Sequence, residues 1–371
     1  VEKSRRNDIV SLNKEIKTMK KFKYNYEYHK ILVYKVLNCR KPGKVFLTFE
    51  DTLEIIKKLY AITDEIKQIV YLAGWQYDGH DSKYPAWFEV NHHLKRKQDE
   101  NAKDSLLCLI DEAKKYNAVV SYHVNMCDAY KNSPLWETYW KNGLIVKNKD
   151  GSAKDINIWD GEMSYHINKS REWETGFAQK RIDEFCEFLP VCDAGTVHID
   201  VFDPRNYPDQ GITVENEIKA MIEILKYWKK KGVDVTKEWF HHEFAGMTPM
   251  VYHLNLDENS RLKYSSDIIC GGGEGWNQKH NKIHHSRIVW GGVYITPESG
   301  CMYEEAWGCS IDNDITSFGG IENFRRQFYT KTLPWQFLNH YEHVKHINTK
   351  EKYIVEFTGD IISSVNKNDR C

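Results

Sequence analysis

Two acidic residues stand where strand-like runs end. Asp200 closes the apolar run in TVHIDVF, and Glu243 lies in EWFHHEF, among aromatic rings and two histidines. A charge inside an apolar strand is costly unless it is paired or used. An apolar surround also raises a carboxyl pKa, which is what a general acid needs. Two carboxyl groups facing each other across a sugar ring are the equipment for breaking a glycosidic bond. At a separation of about 5 Å, one attacks the anomeric carbon while the other protonates the leaving oxygen. Asp200 and Glu243 are the candidate pair.

Other polar side chains fall at the ends of neighbouring apolar runs. Trp75, Asp78, His80 and Asp81 follow IKQIVYLAGW, His123 and Asn125 lie in SYHVN, and Asp203 follows Asp200 by three residues. Asp203 either contacts substrate or caps its loop and holds Arg205. His123 is either a satisfied core histidine or a donor to a sugar hydroxyl. The adjacent histidines 241 and 242 would point to opposite faces of a strand, so at most one faces the pocket. None of the histidine pairs has a recognisable metal spacing, and no catalytic metal or other cofactor is expected. The sequence leaves a structural calcium ion open.

These residues need elements that bring them together. KVFLTF (44–49) reads as a strand and residues 50–62 as a helix. Near-continuous apolar runs at 66–75 and 118–125 read as strands buried on both faces. Residues 99–117, 172–190 and 214–232 read as amphipathic helices. Further strands are expected at 195–202, 233–244 and 286–295, and a helical stretch at 324–341. This βαβα rhythm fits either a doubly wound sheet or a (β/α)8 barrel. No glycine-rich phosphate loop follows the first strands, and the polar residues cluster at strand ends, where a barrel gathers its site. The expected fold is therefore an α/β chain with a TIM-like barrel over 46–345, carrying a long βα insertion at 126–171. That insertion holds Trp136, Trp140, Trp159 and Tyr165, and reads as a lid over the site, a small subdomain with its own core, or both. Residues 1–45 read as an arm or the remnant of a preceding domain, and 346–371 as a strand-rich tail.

Composition sets the remaining bounds. The 371 residues hold 52 basic and 53 acidic side chains, so no charge imbalance draws the chain to nucleic acid or an anionic membrane. Aromatic residues make up 13%, including 12 Trp and 22 Tyr, as suits either a large core or sugar-stacking walls. Nine cysteines in no zinc or redox spacing read as free thiols. That favours a reducing, cytoplasmic setting slightly, although a secreted form whose signal has been removed fits the sequence as well. No apolar run reaches the length of a membrane span.

Four segments carry a family resemblance. GWQYDGHDSKYP (74–85), SYHVNMCDAY (121–130), NIWDG (157–161) and HIDVF (198–202) resemble, in order, signature segments of the endo-α-N-acetylgalactosaminidases, glycoside hydrolase family 101. The resemblance spans about residues 65–245. The interval between Asp200 and Glu243 and the short chain are more like the related exo-acting family 129. The resemblance implies a retaining hydrolase of the TIM-barrel type that releases α-linked N-acetylgalactosamine from Ser or Thr of mucin-type O-glycans. Its substrate and partner would be a carbohydrate or glycopeptide. By motif position Asp200 would be nucleophile and Glu243 acid/base. Asp81 and His123 would hold sugar hydroxyls and Trp159 would shape the pocket, with the role of Asp78 open. Two alternatives stand beside this reading: a hydrolase for another α-galactoside, and a non-catalytic carbohydrate-binding barrel.

Overall fold

The computed structural model describes residues 21–254, 264–271, 302–304, 325, 328–329 and 333–366. Eight parallel strands form its main sheet: β1 (Leu32–Leu37), β2 (Gln68–Ala73), β3 (Ala118–Asn125), β4 (Thr196–Asp200), β5 (Asp234–Trp239), β6 (Met250–His253), β7 (Cys270–Gly271) and β8 (Met302–Glu304). Across the sheet they run β7-β6-β5-β4-β3-β2-β1-β8. Strands adjacent in the chain are adjacent in space, and the last lies beside the first, which is the winding of a (β/α)8 barrel. The sheet is also curled. Lys35 on β1 and Glu238 on β5 are four strand steps apart, roughly 19 Å in a flat sheet. Their charged ends are 3.8 Å apart.

Alternation along the strands sorts side chains into two layers. Tyr34, Val36, Val70, Leu72, Tyr122, Val124, Val197 and Ile199 face outward and join the helices in one large core. Tyr28, Val33, Ile69, Tyr71 and Met250 fill the lower interior. Above them the interior is polar. Thr196 bonds both Tyr28 and Tyr71 (2.8 and 2.6 Å), and His198 bonds Thr236 (2.9 Å).

The outer helices start where their sequences provide caps. Thr48 and Asp51 form a capping box on the helix Phe49–Ile62, Asn101 caps Ala102–Lys114, and Thr213 caps Val214–Lys230. The last lays Ile218, Met221, Ile224, Leu225 and Trp228 on the sheet, the 3.6-residue spacing of an amphipathic helix. The segment expected as one helix at 172–190 is broken by Gly176, which at φ +80° separates Lys169–Glu174 from Phe177–Phe188.

The insertion at 126–171 contains a three-stranded antiparallel sheet (Asp128–Tyr130, Asp155–Trp159, Glu162–His166) and the helix Trp136–Lys141, around a core of Ala129, Tyr139, Leu144, Ile145 and Ile167. At the C-terminal end, His343–Asn348, Lys352–Phe357 and Ile361–Asn366 form an antiparallel sheet. Among the described residues, no helix is long and apolar enough to cross a membrane.

Three sequence expectations need correction. KVFLTF (44–49) is not a barrel strand: only Lys44–Val45 pair, in a small hairpin, and Phe49 already begins a helix. The first barrel strand is β1, inside the segment read as an arm. Its sequence LVYKVL carries a lysine mid-run, which disguises a strand buried on both faces. The strand expected at 233–244 ends at Trp239, and residues 242–244 form a 3-10 turn. The strand expected at 286–295 lies outside the described residues.

Candidate active site

The upper ends of β3, β4 and β5 set the site. In register, Asn125 of β3 stands beside Asp200 of β4. The β4–β5 ladder pairs Thr236 with His198 and Lys237 with Ile199. One residue further, Glu238 falls next to Asp200, on the inward face. The two buried carboxyl groups lie side by side, and Glu238 acts directly on Asp200.

Asp200 is fixed from its other side. Its Oδ2 accepts from Asn125 Nδ2 at 2.9 Å, and His123 Nε2 lies 3.7 Å from Oδ1. Asn125 cannot flip freely, because its Oδ1 accepts from the backbone N–H groups of Cys127 and Asp128 (2.6 and 2.8 Å). Immediately after Asp200 the chain takes two left-handed residues, Val201 (φ +54°) and Phe202 (φ +51°). Such a conformation is costly for non-glycine residues, most of all for a β-branched one, and persists only where the surroundings enforce it.

The electrostatics follow from burial. Asp200 is held well above the ordinary carboxylate range, first by desolvation and then by the charges of Glu238 and Asp81, with Lys35 acting against them. Asp81 is pushed up to about 7 by burial, which Lys41 partly offsets. Asp128 is pushed up to about 7 by burial and the Asp81 charge, with Arg205 and Lys169 opposing. His80 is driven down to about 3 and His123 well below its usual value, each chiefly by burial and then by Lys35. Both imidazoles are therefore neutral at physiological pH and can each donate one hydrogen bond and accept another.

The proposed site residues separate into groups. Asp200, His123, Asn125, His80 and Asp81 come together. The His80 ring meets that of His123 edge-on at 4.9 Å, and its Nδ1 is 3.6 Å from Asp81. Asp78 sits at the rim, paired with Lys83 at 3.1 Å. Trp75 turns the other way, into the helix–sheet core. Its ring stacks on Phe185 and its Nε1 donates to the His123 carbonyl at 3.0 Å. Trp159 ends an insertion strand, at the tip of a hairpin tied to the loop after β1. There Arg40 faces Asp160 at 3.8 Å and Lys41 faces Glu162 at 3.2 Å. Asp203 faces Lys237 (3.9 Å) and His241 (3.5 Å). Glu243 lies on the turn beyond β5, half-buried, where its charge acts on Lys237 and Tyr264. Among the described residues, no hydrogen bond or ion pair joins Glu243 to Asp200.

Sequence reasoning missed Glu238, Lys35, Lys41 and Asp128. Glu238 had a readable signal: it lies two residues past Thr236 in VDVTKEW, on the face that alternation turns inward. The glycines of GWQYDGHDS have a steric role. A side chain on Gly74 (φ +78°) would meet the Cys39 carbonyl oxygen at 1.9 Å, and one on Gly79 (φ +128°) the Arg40 carbonyl carbon at 2.5 Å. The backbone therefore packs directly on the loop after β1 and brings His80 and Asp81 over the pair. Among the described residues, no group of three or more His, Cys, Asp or Glu side chains is arranged to hold a metal ion.

Comparison with known proteins accords with this fold. Residues 24–261 match the family model described as endo-alpha-N-acetylgalactosaminidase. The fold is similar to the alpha-N-acetylgalactosaminidase of Bifidobacterium bifidum in its GalNAc complex, with a TM-score of 0.63 at 12% identity over 92% of this chain and 57% of that one. It is also similar to a GH36 alpha-galactosidase of Geobacillus stearothermophilus, with a TM-score of 0.55 at 11% identity over 92% of this chain and 48% of that one. The chain thus spans about half the length of the solved structures it matches.

Proposed function

The chain belongs to the endo-alpha-N-acetylgalactosaminidase family, glycoside hydrolase family 101, and on that footing we propose that it is a retaining hydrolase. Its substrate in this reading is α-linked N-acetylgalactosamine on Ser or Thr of mucin-type O-glycans. The observation that carries the reading is the pair of buried carboxyl groups, Asp200 and Glu238, on adjacent strands at the barrel mouth. Retaining enzymes hold their carboxyl groups about 5–5.5 Å apart, inverting ones roughly 6.5–9.5 Å to admit a water. Positions side by side on adjacent strands, about 4.8 Å apart, favour the smaller separation.

In this mechanism Asp200 passes its proton to Glu238 as the sugar binds and, as carboxylate, attacks the anomeric carbon. The carbon–oxygen bond to the aglycone breaks, and the proton on Glu238 goes to the leaving oxygen. The same acid group, now a carboxylate, takes a proton from water. That water displaces Asp200 and releases the sugar with its original configuration. Glu243 was the acid suggested by sequence. We propose Glu238 for the role, because it is the carboxyl that reaches Asp200. In this reading neutral His123 and His80, with Asp81, hold sugar hydroxyls.

Hydrolysis of nitrophenyl α-N-acetylgalactosaminide, followed by NMR of the first-formed anomer, tests the reading. An α-anomer and a preference over the plain α-galactoside are expected. Preference for the galactoside would move the enzyme to the alternative substrate class, and a first-formed β-anomer would exclude retention. Asp200→Asn should lower turnover by more than about 10³-fold while sugar binding persists. A wild-type protein that binds the sugar without cleaving any glycoside would favour the non-catalytic barrel.

A further inference from the structure

Behind the carboxyl pair, on the outer side of the same two strands, lies a second charged cluster that the mechanism does not use. Lys237 precedes Glu238 on β5 and points the opposite way. Its side chain is fully buried, with Nζ 2.8 Å from His241 Nδ1 and 3.9 Å from Asp203 Oδ1. The ammonium lies over the Phe244 ring at 4.8 Å from its centroid. His241 Nε2 is 3.5 Å from the same Asp203 oxygen. One chemical assignment satisfies all three groups: Lys237 donates to an unprotonated Nδ1, and Nε2–H faces the Asp203 carboxylate. His241 is driven down to about 3, first by burial and then by Lys237, so it stays neutral and able to accept.

Asp203 belongs to the chain leaving β4, just past the left-handed residues Val201 and Phe202. His241 belongs to the chain leaving β5. The cluster therefore joins the two segments that carry the catalytic pair, beside two consecutive left-handed residues. We propose that Lys237 is a positioning residue: through Asp203 and His241 it pins the exits of β4 and β5 together and fixes the direction of Asp200 and Glu238. The proposal rests on the retaining-hydrolase reading of that pair.

The charge on Lys237 is itself labile. Burial lowers its pKa most. Asp203 from the β4 exit, Cys127 from the β3 exit and Glu243 from the β5 exit raise it, and Lys169 at the start of the following helix lowers it, leaving it at about 8. Arg205 acts on the cluster through both Asp203 and His241. As pH rises through that value the ammonium is lost and Asp203 loses the Lys237 charge.

The experiment is kcat and KM against pH for wild type, Asp203→Asn, Lys237→Arg and Lys237→Met, with folding checked by thermal melts. Wild type should show an alkaline limb in kcat. Asp203→Asn removes a charge that raises the Lys237 pKa, so the limb should move to lower pH. At pH 7 kcat should fall about 10- to 100-fold, as small misplacements of reacting groups do, with KM within about threefold. Lys237→Arg should move the limb up, and Lys237→Met should be slow at every pH. A kcat profile unchanged in Asp203→Asn overturns the proposal, as does a limb unmoved in Lys237→Arg. Should a lysine variant fail to fold, Asp203→Asn alone decides. Should wild type cleave no glycoside, the functional reading fails by itself. NMR titration of the lysine side chains then tests the cluster: a Lys237 that titrates at the ordinary 10.5, rather than near 8, overturns it.

Discussion

Lys35 on β1 reaches across the barrel to Glu238 on β5, with 3.8 Å between Nζ and Oε1, and both side chains are buried. A cation is thereby set beside the carboxyl pair, where the low dielectric magnifies its effect. Lys35 opposes the rise of the Asp200 pKa and pushes the His80 and His123 values down.

Replacing Lys35 by Met removes that field. The Asp200 carboxyl then holds its proton to higher pH, so the acidic limb of kcat/KM should move upward, by about one pH unit or more for a charge this close. The pH profile on an activated aryl glycoside measures it. A limb that stays in place, or moves down, would detach Lys35 from the chemistry.

Glu238→Gln and Glu243→Gln separate the two candidate acids. Loss of the acid should slow substrates with poor leaving groups by more than about 100-fold and activated aryl glycosides far less, because a good leaving group needs no proton. That pattern is expected for Glu238→Gln. Should Glu243→Gln show it instead, the acid assignment reverts to the residue suggested by sequence.

Lys169 and Glu217 form a fully buried ion pair at 2.8 Å, and Glu217 also accepts from the Ser170 backbone N–H and hydroxyl. Glu217→Ala leaves the ammonium without its counter-charge. Urea unfolding should lose about 3–5 kcal/mol. A loss below 1 kcal/mol would mean that Lys169 finds another partner or water.

Asp81 and Asp128, each lifted from 3.8 to about 7, bind protons in the folded chain at pH values where the unfolded chain has released them. Stability therefore falls as pH rises toward and through 7. Buried neutral histidines act oppositely, but only below their unfolded value of 6.5, as His80 and His166 illustrate. Between about pH 6.5 and 8 each of these carboxyls contributes a decline of at most about 1.4 kcal/mol per pH unit, which Lys237, lowered to about 8, opposes toward the upper end. Asp128→Asn should flatten the decline in unfolding free energy over that window. An unchanged slope would show that Asp128 is ionised throughout.

Much of the sheet was legible because its strands are apolar runs of the right length: residues 118–125 form β3, and 66–75 and 195–202 bracket β2 and β4. β1 was hidden by Lys35, whose charge imitates a surface residue but which a carboxyl on the far side of the barrel receives. Asp200 was legible as a lone acid ending an apolar strand. Glu238 was not, since TKEW looks like a solvated strand end until register sets it beside Asp200. Trp75 was a candidate substrate contact by its place at a strand end, yet after the turn at Gly74 its ring lies outward on Phe185.

The side chains that meet around the pair come from β1 to β5 and the segments that follow them, in chain order and without interruption. Among the described residues, no side chain of this group comes from β6, β7 or β8. Under the proposed function, the parts that break the bond are therefore carried by one continuous stretch of chain, from Lys35 to Glu238.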